Sequence, residues 1–256
     1  MKTIVRIAMA AAALVLATTP GRAGGVPVDL ELVLAIDTSR SIDEDEHKLQ
    51  IDGYARALTD PDVLKAVRSG VIGTIAVTMV EWSGPAEQRV MVGWTAVGDD
   101  ASASAFAAAL RGAGRSFNDG TSISGGLDFS MRLFGESGFE GTRRVIDVSA
   151  DGVNNRGRPP QLSRDEAVAA GMTINGLAII NDRPSRLPYP EPPLDEYFRD
   201  NVIGGPGAFL IVVKDFASFA EAVRNKLIRE ISHAPGPPDR SLATLPAVPD
   251  DVVPGP

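Results

Sequence analysis

Apolar runs in this chain alternate with segments in which apolar residues recur at helical spacing, and the alternation predicts its elements. Leu30–Ile36 contains little polar alternation, as expected for a strand that is covered on both faces. Apolar and β-branched runs predict five further strands, at Val71–Trp82, Gln88–Thr95, Val145–Ser149, Thr173–Ile180 and Phe209–Val213. Helical spacing predicts helices over Asp43–Leu58, Ala101–Leu110, Leu127–Phe134, Asp165–Ala170 and Phe216–Ile231.

The order of these elements predicts an α/β fold with a doubly wound, mostly parallel six-stranded sheet. The turn at Ser83-Gly84-Pro85 is too short for a parallel crossover, so the third strand is expected to be an antiparallel edge strand. Residues 24–233 are expected to form this single domain.

Both ends of the chain differ from the domain in composition. Lys2 and Arg6 precede an apolar run, and Gly21-Arg22-Ala23 offers small residues for cleavage, so residues 1–23 are predicted to be a signal peptide. That run is too short for a spanning helix, and no stable membrane span is expected after cleavage. Residues 234–256 are rich in Pro and are predicted to be disordered. The mature protein is therefore expected to be exported, in the periplasm or outside the cell.

Charge and composition exclude several function classes. Without the three basic residues of the leader, 22 basic and 33 acidic residues remain, a net charge of −11. A chain this acidic lacks the basic surface that nucleic-acid binding requires. With no Cys and two His, thiol catalysis and zinc–thiolate sites are excluded, and histidine-rich metal sites are disfavoured.

Candidate chemistry is concentrated where the first strand ends, at Asp37-Thr38-Ser39-Arg40-Ser41. Residues spaced by two point the same way in an extended or turning backbone, so the oxygens of Asp37, Ser39 and Ser41 can converge. Oxygen ligands suit a hard cation such as Mg2+ or Mn2+. A second interpretation is that Ser41 caps the next helix, because Ser41-Ile42-Asp43-Glu44 fits a capping box.

Two more oxygen-bearing corners are expected at the same edge of the sheet, where loops that follow parallel strands emerge. Thr121 follows a Gly-rich loop, and Asp151 follows the fourth strand in Ser149-Ala150-Asp151-Gly152. A third acid-bearing corner, Asn181-Asp182, follows the fifth strand.

The first motif, Thr121 and Asp151 together resemble the metal-ion-dependent adhesion site of von Willebrand factor type A (VWA) domains. The resemblance implies Mg2+ or Mn2+ held by Asp37, Ser39, Ser41, Thr121 and Asp151, directly or through water. It also implies a protein partner whose acidic side chain completes the metal shell. Ala150 departs from the Thr or Ser usual at that position, which is not itself a metal ligand.

A second likeness extends past these residues. Asn175-Gly176-Leu177-Ala178-Ile179 and Val202-Ile203-Gly204-Gly205-Pro206-Gly207-Ala208-Phe209, with Asp195-Glu196-Tyr197-Phe198 before them, resemble a family of exported bacterial VWA-like proteins of unassigned function. That likeness implies fold and location and no activity.

The Pro-rich segment 182–206 is expected to rise on the side of the candidate metal corner. It is either a loop that selects the partner or a loop that packs on the domain. The candidate partner-binding residues are Asp182, Tyr189, Glu191 and Tyr197.

A metal-binding module that engages a protein partner is thus the leading hypothesis, and no enzymatic activity is expected. A phosphatase of the haloacid dehalogenase type is the first alternative, but it needs a second Asp where this chain has Ser39. The second alternative is a VWA scaffold whose metal is dispensable.

Overall fold

The computed structural model describes residues 24–180, 192–214 and 218–232. Its strands are β1 (Val26–Val28), β2 (Leu30–Asp37), β3 (Ile75–Trp82), β4 (Gln88–Val97), β5 (Phe139–Gly141), β6 (Arg144–Ala150), β7 (Thr173–Ile179) and β8 (Leu210–Val213). Its α-helices are α1 (Glu44–Leu58), α2 (Pro61–Arg68), α3 (Asp100–Gly112), α4 (Ile123–Leu133), α5 (Pro160–Ala169), α6 (Leu194–Asn201) and α7 (Phe219–Ser232).

The main sheet has six strands in the order β4-β3-β2-β6-β7-β8. Every neighbouring pair is parallel except β3 and β4, which are antiparallel. The predicted α/β class, the six-stranded sheet and the antiparallel edge strand are therefore confirmed. All eight residues of β2 are buried, in agreement with its mostly apolar sequence, and these include the carboxylates of Glu31 and Asp37.

Helices cover both faces of the sheet. Alternate residues of each strand point to opposite faces, so each strand contributes side chains to both cores. Leu30, Leu32, Leu34 and Ile36 pack in one core cluster with side chains of α1, α2, α3 and α7. Val33 and Ala35 belong to the second cluster, which contains side chains of α4, α5 and α6. No helix in the described ranges is long and apolar enough to cross a membrane.

The structure corrects the predicted start of the second strand. The strand begins at Ile75, whereas Val71 is fully exposed and Ile72 is partly exposed. The Asp29 carboxylate instead accepts backbone hydrogen bonds from Ile72 (3.0 Å) and Gly73 (2.7 Å), which fixes a turn there. The β-branched residues Val71 and Ile72 indicated a strand at these positions and gave no sign of the turn.

Two small elements were not predicted. Helix α2 has only eight residues, begins with Pro61 and is capped by the Asp60 side chain. Strands β1 and β5 form a separate parallel pair of three residues each. Within α1, Leu49 is exposed, and the large buried apolar side chains are Ile51, Tyr54 and Leu58.

Helix α7 is joined to the sheet by buried charges. The Lys226 ammonium lies 2.5 Å from the Asp147 carboxylate of β6 and also pairs with Glu230. All three side chains are fully or almost fully buried. The Asn175 amide donates to Glu230 (3.0 Å), so β7 joins the same network.

Both ends of the described domain lie at the amino edge of the sheet, where the parallel strands begin. The Thr142 N–H, just before β6, donates to the Val28 carbonyl of β1 (3.2 Å). The Arg143 guanidinium donates to the carbonyls of Glu230 (2.8 Å) and Ile231 (2.9 Å) in the last turn of α7.

Candidate metal centre

The carboxyl edge of the sheet brings the candidate metal residues together. Strands β2 and β6 are parallel neighbours in the register Ile36↔Ser149, so Asp37 and Asp151 leave the sheet side by side. Thr121 comes from the loop before α4, whose first turn is capped by the Ser122 hydroxyl. The separate corners that the sequence indicated therefore meet at one place.

Hydrogen bonds connect all five residues, and the bond to Asp37 comes from a backbone N–H. The Ser41 hydroxyl donates to Asp151 Oδ1 (2.5 Å) and lies 3.2 Å from the Ser39 hydroxyl. The Thr121 hydroxyl donates to Ser39 Oγ (3.2 Å). The Ser39 backbone N–H donates to Asp37 Oδ1 (2.7 Å). Three hydroxyls and two carboxylates thus occupy one small volume.

The electrostatics of this cluster are unfavourable without a cation. Asp37 is completely buried, and its Oδ2 atom has no hydrogen-bond partner among the described residues. Burial, and secondly the charge of Asp151, raises the pKa of Asp37 to about 8. A cation next to both carboxylates would stabilise their charged forms and would therefore lower the pKa of Asp37.

The donor set fits a hard divalent cation, because every candidate ligand atom is an oxygen. In the part of the chain that the structure describes, no three His, Cys, Asp or Glu side chains form a group that could hold a metal. A metal here would therefore depend on the hydroxyls of Ser39, Ser41 and Thr121. Hydroxyls complete the shell of Mg2+ without adding charge.

Ser41 does not cap the following helix, so that interpretation of its sequence is wrong. Helix α1 begins at Glu44, and the capping box is formed by Asp43 and Glu46. Asp43 accepts from the Glu46 N–H (2.9 Å), and Glu46 accepts from the Asp43 N–H (2.9 Å). The Ser41 hydroxyl consequently remains within the oxygen cluster.

Arg115 holds the Asp37–Ser41 loop through hydrogen bonds to its backbone, a role that was not predicted from the sequence. Its guanidinium donates to the carbonyls of Thr38 (2.7 Å), Ser39 (3.0 Å) and Ile42 (2.8 Å). Its side chain is 9% exposed. An Arg in a Gly-rich loop gave no signal of this role, because its acceptors are backbone atoms more than 70 residues away.

Two asparagines after Asp151 hold the Thr121 loop in the same manner. Asn155 Oδ1 accepts from the Thr121 N–H (2.9 Å), and the Asn155 N–H donates to the Thr121 carbonyl (2.9 Å). Asn154 Oδ1 accepts from the Ser124 N–H (3.1 Å) in the first turn of α4. The corner that supplies Asp151 therefore also positions Thr121.

A cavity of about 380 Å3 opens beside the cluster. Its lining residues come from three loops, namely Arg40, Ser41, Asp119, Gly120, Thr121, Asn155 and Arg156. Arg40 forms a long ion pair with Asp119 (3.9 Å), and its side chain is 76% exposed. Arg156 packs against Gly120, where an added Cβ would lie 2.6 Å from its Cγ. Two guanidinium groups thus line the approach to the carboxylates.

The candidate partner-binding residues are described only in part. Tyr197 lies on α6, is half-buried against the second core cluster, and its hydroxyl accepts from the Asn154 N–H (3.3 Å). This contact connects α6 to the Asp151 corner. Asp182, Tyr189 and Glu191 lie outside the described residues, as does the predicted corner Asn181-Asp182.

A family model described as a protein of unknown function (DUF1194) matches residues 27–235. No curated protein matches the sequence.

Solved structures of VWA proteins are similar to the chain. A von Willebrand factor type A protein from Catenulispora acidiphila has 16% identity and a TM-score of 0.57, over 80% of this chain and 43% of that one. The pilus adhesin SpaC from Lactobacillus rhamnosus GG has 16% identity and a TM-score of 0.56, over 81% and 30% of the two chains. Proximal thread matrix protein 1 from the mussel byssus, with a zinc-occupied MIDAS motif, has 15% identity and a TM-score of 0.54, over 80% and 46%.

This chain spans less than half of the length of each of these three structures. At such identities the similarity establishes the fold, which is that of a VWA domain.

Proposed function

Because the chain belongs to the family of unknown function DUF1194 and has the VWA fold, we propose that it is a binding module that engages a protein partner through a divalent cation. The proposed cation is Mg2+ or Mn2+, and the proposed ligands are Asp37, Ser39, Ser41, Thr121 and Asp151. The observation that carries the proposal is the buried Asp37 carboxylate, which has one oxygen without a partner among the described residues and faces the charge of Asp151.

The partner is proposed to present an acidic side chain. When bound, the cation supplies a position that a carboxylate from another protein can occupy. Arg40 and Arg156 line the same cavity and would attract that carboxylate from a distance. Asp119 also lines this cavity and pairs with Arg40 at 3.9 Å, so Arg156 would contribute the larger share of this attraction.

Binding is favoured over catalysis by the residue two positions after Asp37. A phosphatase of the type considered above needs a carboxylate there, and the Ser39 hydroxyl instead contacts Ser41 and Thr121. With the predicted leader at residues 1–23, the module is proposed to act in the periplasm or outside the cell.

Calorimetric titration with MgCl2, MnCl2 and ZnCl2 tests the metal site, the zinc arm being suggested by the mussel protein. One saturable site is expected, and Asp37→Ala should abolish it. Asp45→Ala is the matched control, because it removes a 91% exposed carboxylate from the first turn of α1. Equal metal affinity in Asp37→Ala and the parent protein would show that the ligands are assigned wrongly.

Capture of envelope proteins by the immobilised protein tests the partner. The same protein band should be retained in Mg2+, released by EDTA and absent with Thr121→Ala. Retention that is indifferent to EDTA would favour the alternative in which the fold is a scaffold and its metal is dispensable.

A further inference from the structure

A second cavity, of about 640 Å3, lies at the amino edge of the sheet, opposite the candidate metal centre. Arg144 begins β6, Thr173 and Asn175 belong to β7, Phe209 precedes β8, and Arg229 and Glu230 belong to α7. Cavities of this size accommodate small organic ligands. Nothing in the proposed metal-dependent function uses it.

Two of its arginines have no counter-charge in the described part of the chain. The side chains of Arg144 and Arg229 make no hydrogen bond or ion pair with the described residues, and the Arg229 guanidinium lies 4.0 Å from the centroid of the Phe209 ring. Other arginines of this acidic protein do find carboxylates, as Arg158 does with Asp128 and Glu166. Two guanidinium groups facing one cavity therefore form an unneutralised positive site.

A third guanidinium is fixed at the wall of the cavity. Arg143 is held by the carbonyls of Glu230 (2.8 Å) and Ile231 (2.9 Å). Burial lowers the pKa of Arg143, in spite of the nearby charges of Glu230 and Asp29. The positive charge is thus partly desolvated, a state that an adjacent anion would stabilise.

The one carboxylate in the lining does not cancel this charge, because it is already engaged. Glu230 pairs with Lys226 and accepts from the Asn175 amide (3.0 Å). Lys226 is fully buried and does not line the cavity. The lining therefore offers the guanidinium groups of Arg144 and Arg229 against one occupied carboxylate.

We propose that this cavity binds a small anionic ligand through a carboxylate or phosphate group, with Arg144 and Arg229 as its counter-charges. Guanidinium groups bind both anions through paired hydrogen bonds, so the two are chemically equivalent at this level. The ring of Phe209 and the side chain of Val145 offer apolar contact to the remainder of the ligand. The site is independent of the metal centre at the opposite edge.

Titration of the metal-free protein with inorganic phosphate and, separately, with succinate tests this proposal and distinguishes the two anions. Amide resonances are recorded during each titration. At least one probe should cause saturable shifts at millimolar concentration in residues 171–175 and 206–209, with none in residues 119–121. Asp37→Ala should bind the same probe with unchanged affinity, even if the metal proposal fails.

Arg144→Gln and Arg229→Gln should each weaken binding by about tenfold or more, because each removes a charge-assisted hydrogen bond. Neither guanidinium group is hydrogen-bonded or ion-paired to a described residue, and Arg229 loses only its contact with the Phe209 ring, so both variants should fold. Arg132→Gln is the matched control, since Arg132 also lies over a phenylalanine ring, that of Phe129, outside the cavity. The proposal is overturned if neither probe saturates, or if Arg132→Gln weakens binding as much as the other two variants.

Discussion

Replacing Lys226 by Met should destabilise the protein by leaving two carboxylates buried without a positive partner. Lys226, Asp147 and Glu230 are at most 2% exposed, and the Lys226–Asp147 distance is 2.5 Å. Removing one partner of a buried ion pair costs about 3–5 kcal/mol. Met keeps the length and apolar volume of the side chain, so the loss reports charge and not a cavity.

The loss should depend on pH in a defined direction. Burial, and secondly the charge of Glu230, raises the pKa of Asp147 to about 7 in the folded protein, from 3.8. A raised carboxylate pKa means that the folded state holds the proton longer than the unfolded state. The contribution of Asp147 to stability therefore falls with rising pH between these two values and levels off above pH 7.

Without Lys226 the pKa of Asp147 rises further, so the stability of the variant should continue to fall above pH 7. Urea unfolding of both proteins at pH 6 and pH 8.5 measures this difference. The difference in free energy of unfolding between the parent protein and Lys226→Met should be larger at pH 8.5. Adding Asp147→Asn to the variant should restore part of the lost stability.

Lys65→Met is the matched control, because Lys65 is an exposed helical lysine and its replacement should change stability by less than about 0.5 kcal/mol. A loss below about 1 kcal/mol for Lys226→Met at pH 8.5 would refute the reasoning, as it would fall short of the cost of an unpaired buried charge. An equal difference in free energy of unfolding at pH 6 and pH 8.5 would refute the reasoning as well.

Two further predictions concern the supports of the candidate metal centre and the packing beneath it. Arg115→Met should weaken Mg2+ binding about 10–100-fold in a calorimetric titration, because it frees the carbonyls of the metal loop, whereas Arg111→Met, which removes an exposed ion pair nearby, should not. Gly126→Ala should lower stability by about 1–3 kcal/mol in urea unfolding, since an added Cβ would lie 2.8 Å from Trp82 Cγ, while Gly112→Ala, with open space, should cost nothing. Equal effects within either pair would contradict the corresponding contact.

The central elements of the fold could be predicted because their sequences are locally consistent. The mostly apolar run of β2 and the short turn before β4 each carried enough information to place these strands. The smaller elements depend on distant partners. Val71 has the sequence of a strand residue, but the Asp29 carboxylate 42 residues earlier fixes a turn next to it. Strands β1 and β5 have three residues each, too few for any periodicity.

The five candidate metal ligands could be predicted from the sequence, whereas the residue that supports their loop could not. The spacing of Asp37, Ser39 and Ser41 indicated a cluster of oxygens, and the predicted sheet edge brought Thr121 and Asp151 to it. The resemblance to VWA domains implied that all five bind a metal. Their metal-binding role stays a prediction. Arg115 could not be predicted, because it acts on backbone carbonyls and therefore leaves no complementary residue type in the sequence.

The position of both ends of the domain has a consequence for how the protein can be displayed. Strand β1 and the last turn of α7 lie at one edge of the sheet, and the Asp37–Asp151 cluster lies at the other. Any tether, surface or neighbouring domain joined at either end would therefore hold the cluster pointing away from the point of attachment. A tag joined directly to either end of the described domain should leave that face free, so either end can serve to immobilise the domain on a sensor chip or a bead.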